Sequence, residues 1–147
     1  MQRRTFLLGS ACLLFLPVSA AAQTVSRATL YKNPQCSCCE GYADYLRQNG
    51  FQVDVKPTND LAEISRKAGV PEEMEGCHTM FIDGYVIDGH VPVNVVRKLL
   101  AEKPSIAGIT LPGMPMGSPG MAGTKTDNFV IYAITKDGKA PTVYAAE

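Results

Sequence analysis

The sequence has no excess of charge of either sign, and it has no run of basic residues. Its 147 residues carry 14 lysines and arginines against 14 aspartates and glutamates. A protein that binds nucleic acid neutralises phosphates with clustered Lys and Arg, and this chain has no such cluster. We therefore expect no nucleic-acid partner.

Long apolar runs are also missing, apart from one near the N-terminus. Residues 6–18 are mostly apolar, but about 13 residues are too few for a bilayer-spanning helix, which needs about 20. This stretch follows a charged start and precedes the small residues 19–22, which is the layout of a secretory signal. The sequence predicts an export signal over 1–22 and one domain over 23–147, with no membrane insertion after signal removal.

The start of the signal indicates the export route. Arg3-Arg4-x-Phe6-Leu7 resembles a bacterial twin-arginine signal. A general secretory signal that begins with two arginines is the alternative. Both routes lead to the periplasm, where unprotected thiols are oxidised. Removing the signal also removes both arginines and Cys12, so the exported chain has 125 residues, a net charge of −2 and four cysteines.

The order of predicted elements is β, cysteine turn, α, β, α, β-hairpin, α, long loop and β-hairpin. Helices are expected to begin near Glu40, Asp60 and Pro92. Strands are predicted over 27–32, 51–55, 79–82, 85–87, 129–134 and 142–144. A strand that runs through a cysteine turn into a helix, inside a βαβ unit, is typical of thioredoxin-like domains. We therefore predict an α/β fold, a single thioredoxin-like domain with a mixed central sheet flanked by helices.

Three of the four remaining cysteines lie within four residues. Cys36 and Cys39 form a Cys-x-x-Cys pair with Cys38 between them, where a strand ends and a helix begins. A helix N-terminus favours thiolates. The pair therefore predicts redox exchange, with Cys36 attacking and Cys39 resolving, or binding of a soft ion such as Cu(I) or Zn(II). A structural disulfide is the third alternative.

Cys38 favours metal binding over disulfide exchange, because a third thiol offers a wrong partner during exchange. On a helix it would point about 100° away from Cys39. The three sulfurs can therefore converge on one ion only if Cys36 stays in the loop, or they can bridge several Cu(I) ions.

Cys77 and His78 precede the first predicted hairpin. In thioredoxin-like folds the residues before this strand lie against the cysteine turn, so we expect Cys77 beside the three cysteines. Imidazole suits copper and zinc, which makes His78 a candidate ligand. His90 precedes the third predicted helix, and we assign it only to the surroundings of the ligands.

The loop over residues 111–121 holds Met114, Met116 and Met121 among prolines and glycines. These methionines follow neither helical nor strand spacing. Two interpretations are open: thioether ligands for Cu(I), or a hydrophobic lid over the cysteine site.

Four motifs together resemble a known bacterial family. They are Asn33-Pro34-x-Cys36-x-Cys38-Cys39, Gly76-Cys77-His78-Thr79, Asp83-Gly84-Tyr85-Val86-Ile87-x-Gly89-His90-Val91-Pro92 and Pro112-Gly113-Met114-Pro115-x-Gly117-Ser118-Pro119-Gly120-Met121. These motifs are similar to those of the CopG-like periplasmic copper-resistance family, long catalogued as a metal-binding domain of unknown function. Tyr42 stands where many members have Trp, a difference that affects packing more than chemistry.

The resemblance implies a thioredoxin-like fold and a role in copper tolerance that includes a change of copper oxidation state. It implies a copper site on Cys36, Cys38, Cys39 and Cys77, with other periplasmic copper-handling proteins as partners. Our leading hypothesis is a periplasmic protein that holds Cu(I), singly or as a small cluster. The rival is a thiol–disulfide oxidoreductase or metal-ion reductase that uses Cys36 and Cys39, and a third is a disulfide-bonded structural or partner-binding domain.

Overall fold

The computed structural model describes residues 26–147, which form seven strands, three α-helices and one short 3₁₀ turn. The predicted export signal over 1–22 lies outside the described residues. In chain order the elements are β1 (Arg27–Lys32), α1 (Ser37–Gln48), β2 (Gln52–Pro57), α2 (Leu61–Lys67), the 3₁₀ turn (Glu72–Met74), β3 (His78–Ile82), β4 (Tyr85–Asp88), α3 (Val93–Glu102), β5 (Gly108–Thr110), β6 (Val130–Ile134) and β7 (Thr142–Ala146).

All seven strands form one sheet in the order β2-β1-β3-β4-β5-β6-β7. The β1–β2 and β4–β5 pairs are parallel, and the other four neighbouring pairs are antiparallel. The predicted α/β class and mixed sheet are therefore confirmed. No helix within the described range is long and apolar enough to cross a membrane.

A different hydrophobic cluster packs against each face of the sheet. Successive strand residues point to opposite faces. The main core contains Leu30 of β1 and Met80 of β3 together with residues of α1 and α3, and a smaller cluster on the other face contains Val86. By this alternation, Lys32 and His78 lie on the main-core side, where α1 begins. Lys32 and His78 are also paired across β1 and β3.

The β3–β4 hairpin has the predicted two-residue turn. Asp83 and Gly84 both have positive φ, 47° and 82°. This is the conformation that an Asp-Gly hairpin turn requires, since its twist matches that of the flanking strands. The turn fixes the register of the hairpin, with Ile82 opposite Tyr85 and Thr79 opposite Asp88.

Three details differ from the sequence prediction. Helix α1 begins at Ser37, three residues earlier than expected, because Cys36 takes the N-cap position. Asp60 occupies the N-cap of α2, but its side chain makes no capping hydrogen bond. Strand β5 was not predicted, since three residues are too short to show a pattern. Gly108 in β5 is needed there because a Cβ would overlap the carbonyl oxygen of Val86.

Candidate metal centre

A tight turn holds Cys36 outside helix α1. The Cys36 amide donates to the Asn33 carbonyl at 3.0 Å, and the Gln35 amide donates to the Asn33 side-chain oxygen at 3.0 Å. Pro34 suits the second position of such a turn because its φ is already fixed. Cys36 has extended backbone angles, φ −79° and ψ 97°, and the helix begins after it. Cys36 therefore approaches Cys38 and Cys39 from the loop, the condition for their sulfurs to converge.

The structure brings the sulfur atoms of Cys36, Cys38, Cys39 and Cys77 within 4.8 Å of one another. The Sγ–Sγ distances are 3.3 Å from Cys36 to Cys38, 3.9 Å from Cys38 to Cys77 and 3.5 Å from Cys39 to Cys77. Cys36 and Cys39 form a disulfide, with their Cα atoms 5.6 Å apart. Cys38 and Cys77 are the free thiols among residues 26–147.

Both histidines lie against the Cys77 sulfur. Nε2 of His90 is 2.9 Å from Cys77 Sγ, and Nδ1 of His78 is 3.7 Å from it. Cys39, Cys77, His78 and His90 form a second group whose potential ligand atoms lie within 4.8 Å of one another. The sequence assigned His90 only to the surroundings, yet its ring nitrogen lies nearer to this sulfur than that of His78 does.

The rings of the histidines are buried against Tyr42. Its ring centroid is 4.6 Å from that of His78 and 5.1 Å from that of His90. Its hydroxyl donates to the Val91 carbonyl at 2.8 Å, which fixes the ring. Nε2 of His78 is buried and has no hydrogen-bond partner within the described part of the chain. That nitrogen is a free donor or acceptor inside the site.

Burial sets the protonation of these groups. Burial, and then the neighbouring His90, lowers the pKa of His78 to about 3. Burial also lowers the pKa of His90. Both rings are therefore neutral at pH 7, the form in which imidazole binds metals. Burial, and then Cys38, raises the pKa of Cys77 to about 12. A metal ion at this sulfur would take the place of the thiol proton.

Asp88 holds the segment that carries Cys77. Its carboxylate accepts hydrogen bonds from the Gly76 amide and, at 2.7 Å, from the Thr79 hydroxyl. The Thr79 hydroxyl is also 2.6 Å from the Ser65 hydroxyl of α2. Burial raises the pKa of Asp88 to about 6. The network ties Gly76, next to Cys77, to β3, β4 and α2.

The methionine loop covers the site with its main chain. The Pro119 carbonyl oxygen lies 2.5 Å from Nδ1 of His90, so a hydrogen on Nδ1 donates to it and leaves Nε2 free toward Cys77. Gly120 packs on the start of α1, where a Cβ on Gly41 would lie 2.8 Å from the Gly120 oxygen. The side chains of Met114 and Met116 are 56% and 63% exposed, so these two methionines do not form a buried lid.

Comparisons with known proteins bear on this site. Residues 74–121, which include Cys77, both histidines and the loop, match the family "Protein of unknown function, DUF411". Two solved structures of the copper resistance protein copG, form 2 and form 1, are each 34% identical to this chain. Form 2 gives a TM-score of 0.77 and covers 84% of this chain and 98% of its own. Form 1 gives 0.75, with 82% and 96% covered.

The chain belongs to the CopG-like DUF411 family. No curated protein matches it. The family match by sequence begins after the Cys36–Cys39 turn, whereas the structural likeness extends over most of the chain. The sulfur group is thus built from one segment inside the matched region and one outside it.

The donor set has the chemistry that could hold a thiophilic metal ion. Thiolates and imidazoles are the ligands that Cu(I) and Zn(II) accept. The two groups share Cys39 and Cys77, so they form one continuous set of donors. A disulfide sulfur is not a thiolate, and the thiolate is the metal ligand. The Cys36–Cys39 disulfide would therefore have to be reduced before all four cysteines could act as thiolate ligands.

Proposed function

We propose that this chain is a periplasmic copper-binding protein that serves copper tolerance. Cys36, Cys38, Cys39 and Cys77 hold Cu(I), singly or as a small cluster, with His78 and His90 adjacent. The observation that carries the proposal is the convergence of four sulfurs within 4.8 Å of one another. Soft sulfur ligands favour Cu(I), and Zn(II) also accepts four thiolates. The copper-resistance name of the similar structures supports copper as the ion.

Metal analysis of protein purified from copper-supplemented cells tests this function. We expect copper in the wild-type protein and its loss when all four cysteines are replaced by serine. Cys12 serves as the matched control, because it lies in the predicted signal and Cys12→Ser leaves the cluster intact. Copper no higher in the wild type than in the four-serine variant would contradict the proposal. If the wild-type protein retains copper, a copper-loaded crystal structure with anomalous scattering would give the number of ions.

We also propose that residues 1–22 direct export through the twin-arginine route and that 23–147 is the working domain. Other periplasmic copper-handling proteins are its proposed partners. Replacing Arg3 and Arg4 by lysine tests the route, because the twin-arginine motif requires them. We expect the variant to stay in the cytoplasm, whereas normal export would indicate the general secretory route.

The proposed fold family is thioredoxin-like. The first four strands have the order β2-β1-β3-β4, and β3 is antiparallel to both of its neighbours. The cysteine turn joins β1 to α1, and β2 returns parallel to β1. This βαβ unit with cysteines at the helix start supports the assignment.

A second candidate function is thiol–disulfide exchange or metal-ion reduction by Cys36 and Cys39. The disulfide between them favours it. Insulin reduction with a thiol donor tests the exchange, since each turnover transfers two electrons and two protons to a substrate disulfide. Cys38 Sγ lies 3.3 Å from Cys36 Sγ, so it can compete in exchange. Inactivity of the wild type, with copper binding lost in a folded Cys38→Ser variant, would reject exchange.

A further inference from the structure

Lys32, the last residue of β1, is buried beside the cysteine turn. The whole residue is only 2% exposed. Lysine is almost never fully buried unless its charge is paired, because removing an ammonium group from water is costly. Its position is set by strand alternation, which directs Lys32 to the same face as Leu30. It lies opposite His78 across β1 and β3.

Among residues 26–147, the ammonium group of Lys32 has three partners, and they lie on both sides of residues 36–39. Nζ donates to the carbonyl of Asn33 at 3.2 Å and to that of Pro34 at 3.4 Å, just before Cys36. Nζ also lies 3.1 Å from the carboxylate of Glu40, the residue that follows Cys39. The Asn33 carbonyl is the same one that accepts the Cys36 amide.

We propose that Lys32 is a positioning residue of the metal centre: its ammonium group holds the two ends of the cysteine turn together. The inference rests on the proposed function. Within the part of the chain that the structure describes, no other contact of Lys32 requires a charge at this place, since its three partners all belong to the cysteine segment. A hydrophobic residue could fill the same volume without the cost of burying an ion.

The ammonium group also has an electrostatic consequence. Four thiolates around Cu(I) carry more negative charge than a monovalent ion neutralises. The ammonium group next to the turn offsets part of that excess, and the Glu40 carboxylate, 3.1 Å from Nζ, offsets part of the ammonium charge in turn. The structure therefore gives Lys32 two linked effects on the same residues, one on geometry and one on charge.

Lys32→Met tests the proposal, because methionine keeps the apolar stem and removes the ammonium group. We expect its Cu(I) affinity, measured anaerobically on the reduced protein against a chromogenic chelator, to fall about tenfold. In the metal-free protein we expect faster hydrogen exchange at the Cys36 amide, with the β3–β4 amides unchanged. Lys56→Met is the matched control, because Lys56 pairs with Asp54 on the exposed surface of β2.

Unchanged Cu(I) affinity or unchanged Cys36 exchange in Lys32→Met would overturn the proposal. If Lys32 only stabilised the fold, Lys32→Met would lower the free energy of unfolding. The Cu(I) affinity and the Cys36 amide exchange rate would then both stay at their wild-type values. If Lys32→Met does not fold, Glu40→Gln decides, since it removes one side of the clamp. In metal-free Glu40→Gln we expect faster hydrogen exchange at the Cys36 amide, and a wild-type exchange rate would refute the clamp. A wild-type protein that binds no Cu(I) contradicts the proposed function instead, and the Cys36 exchange rates alone then decide whether Lys32 holds the turn.

Discussion

Asp88→Asn should change how the stability of the metal-free protein depends on pH. Burial raises the pKa of Asp88 from 3.8 to about 6 in the folded state. Folding therefore favours the protonated carboxyl. The stability contributed by Asp88 is fully present below pH 3.8, and it is lost as the pH rises through 6. The shift of about two units corresponds to about 3 kcal/mol at neutral pH.

Asparagine can replace Asp88 and keep both of its hydrogen-bond partners, Gly76 and Thr79. Its side-chain oxygen can still accept the Gly76 amide, and its NH₂ group can donate to the Thr79 hydroxyl. That hydroxyl would then turn to donate to Ser65, which donates to the Leu61 carbonyl at 3.0 Å. The variant thus removes the charge and keeps the network.

We expect Asp88→Asn to match the wild type near pH 4 and to be more stable by about 3 kcal/mol at pH 7. Denaturant unfolding of both proteins between pH 4 and 8 measures this difference. The variant must be compared with the wild type at each pH, because the buried His78 has the opposite effect: its contribution to the stability of the protein is lost as the pH falls. Asp54→Asn, on the exposed surface, should keep the wild-type profile. A constant difference from pH 4 to pH 8 would refute the reasoning.

Three further predictions concern the surroundings of the centre. Gly41→Ala should push the Gly120 segment away from α1, because the new Cβ would lie 2.8 Å from the Gly120 oxygen; faster proteolysis of the loop would show this, and unchanged cleavage would contradict it. Tyr42→Phe should lower the free energy of unfolding by about 1 kcal/mol, since it removes a buried hydrogen bond to a main-chain carbonyl; urea unfolding measures it, and a neutral effect would count against that bond. Replacing both Met114 and Met116 by leucine should leave copper retention unchanged, because both side chains are exposed; loss of copper would instead favour thioether ligation.

The sequence contains enough information to predict that His90 lies near Cys77, although our prediction assigned His90 only to the surroundings of the ligands. The Asp83-Gly84 turn fixes a two-residue hairpin, and its register pairs Thr79 with Asp88. Two further steps along the same register place Cys77 opposite His90. The Gly89 amide does donate to the His78 carbonyl at 3.1 Å. The hairpin register therefore indicates that His90 lies near Cys77, just beyond the last pair of the ladder.

Lys32 and β5 could not be predicted in the same way. Alternation places Lys32 at an inward position, but a lysine at the end of a strand normally directs its charge to solvent. Its burial depends on the Asn33 and Pro34 carbonyls and on Glu40, whose positions follow from how the turn packs. Strand β5 forms through contacts with its neighbouring strands and not through a pattern of its own. Gly108 is required there because a Cβ would overlap the Val86 carbonyl oxygen.

His90 contacts both the cysteines and the methionine loop through its two ring nitrogens. Its Nε2 lies 2.9 Å from Cys77 Sγ, and its Nδ1 lies 2.5 Å from the Pro119 oxygen. A hydrogen bond on one ring nitrogen orients the other nitrogen toward a metal and makes it more basic. The loop therefore contacts the sulfur centre through main-chain atoms, which explains how Met114 and Met116 can be exposed while its Pro-Gly segment packs against α1. Because a disulfide withdraws Cys36 and Cys39 as ligands, Cys77, Cys38 and the two histidines are the donors that remain in the oxidised form.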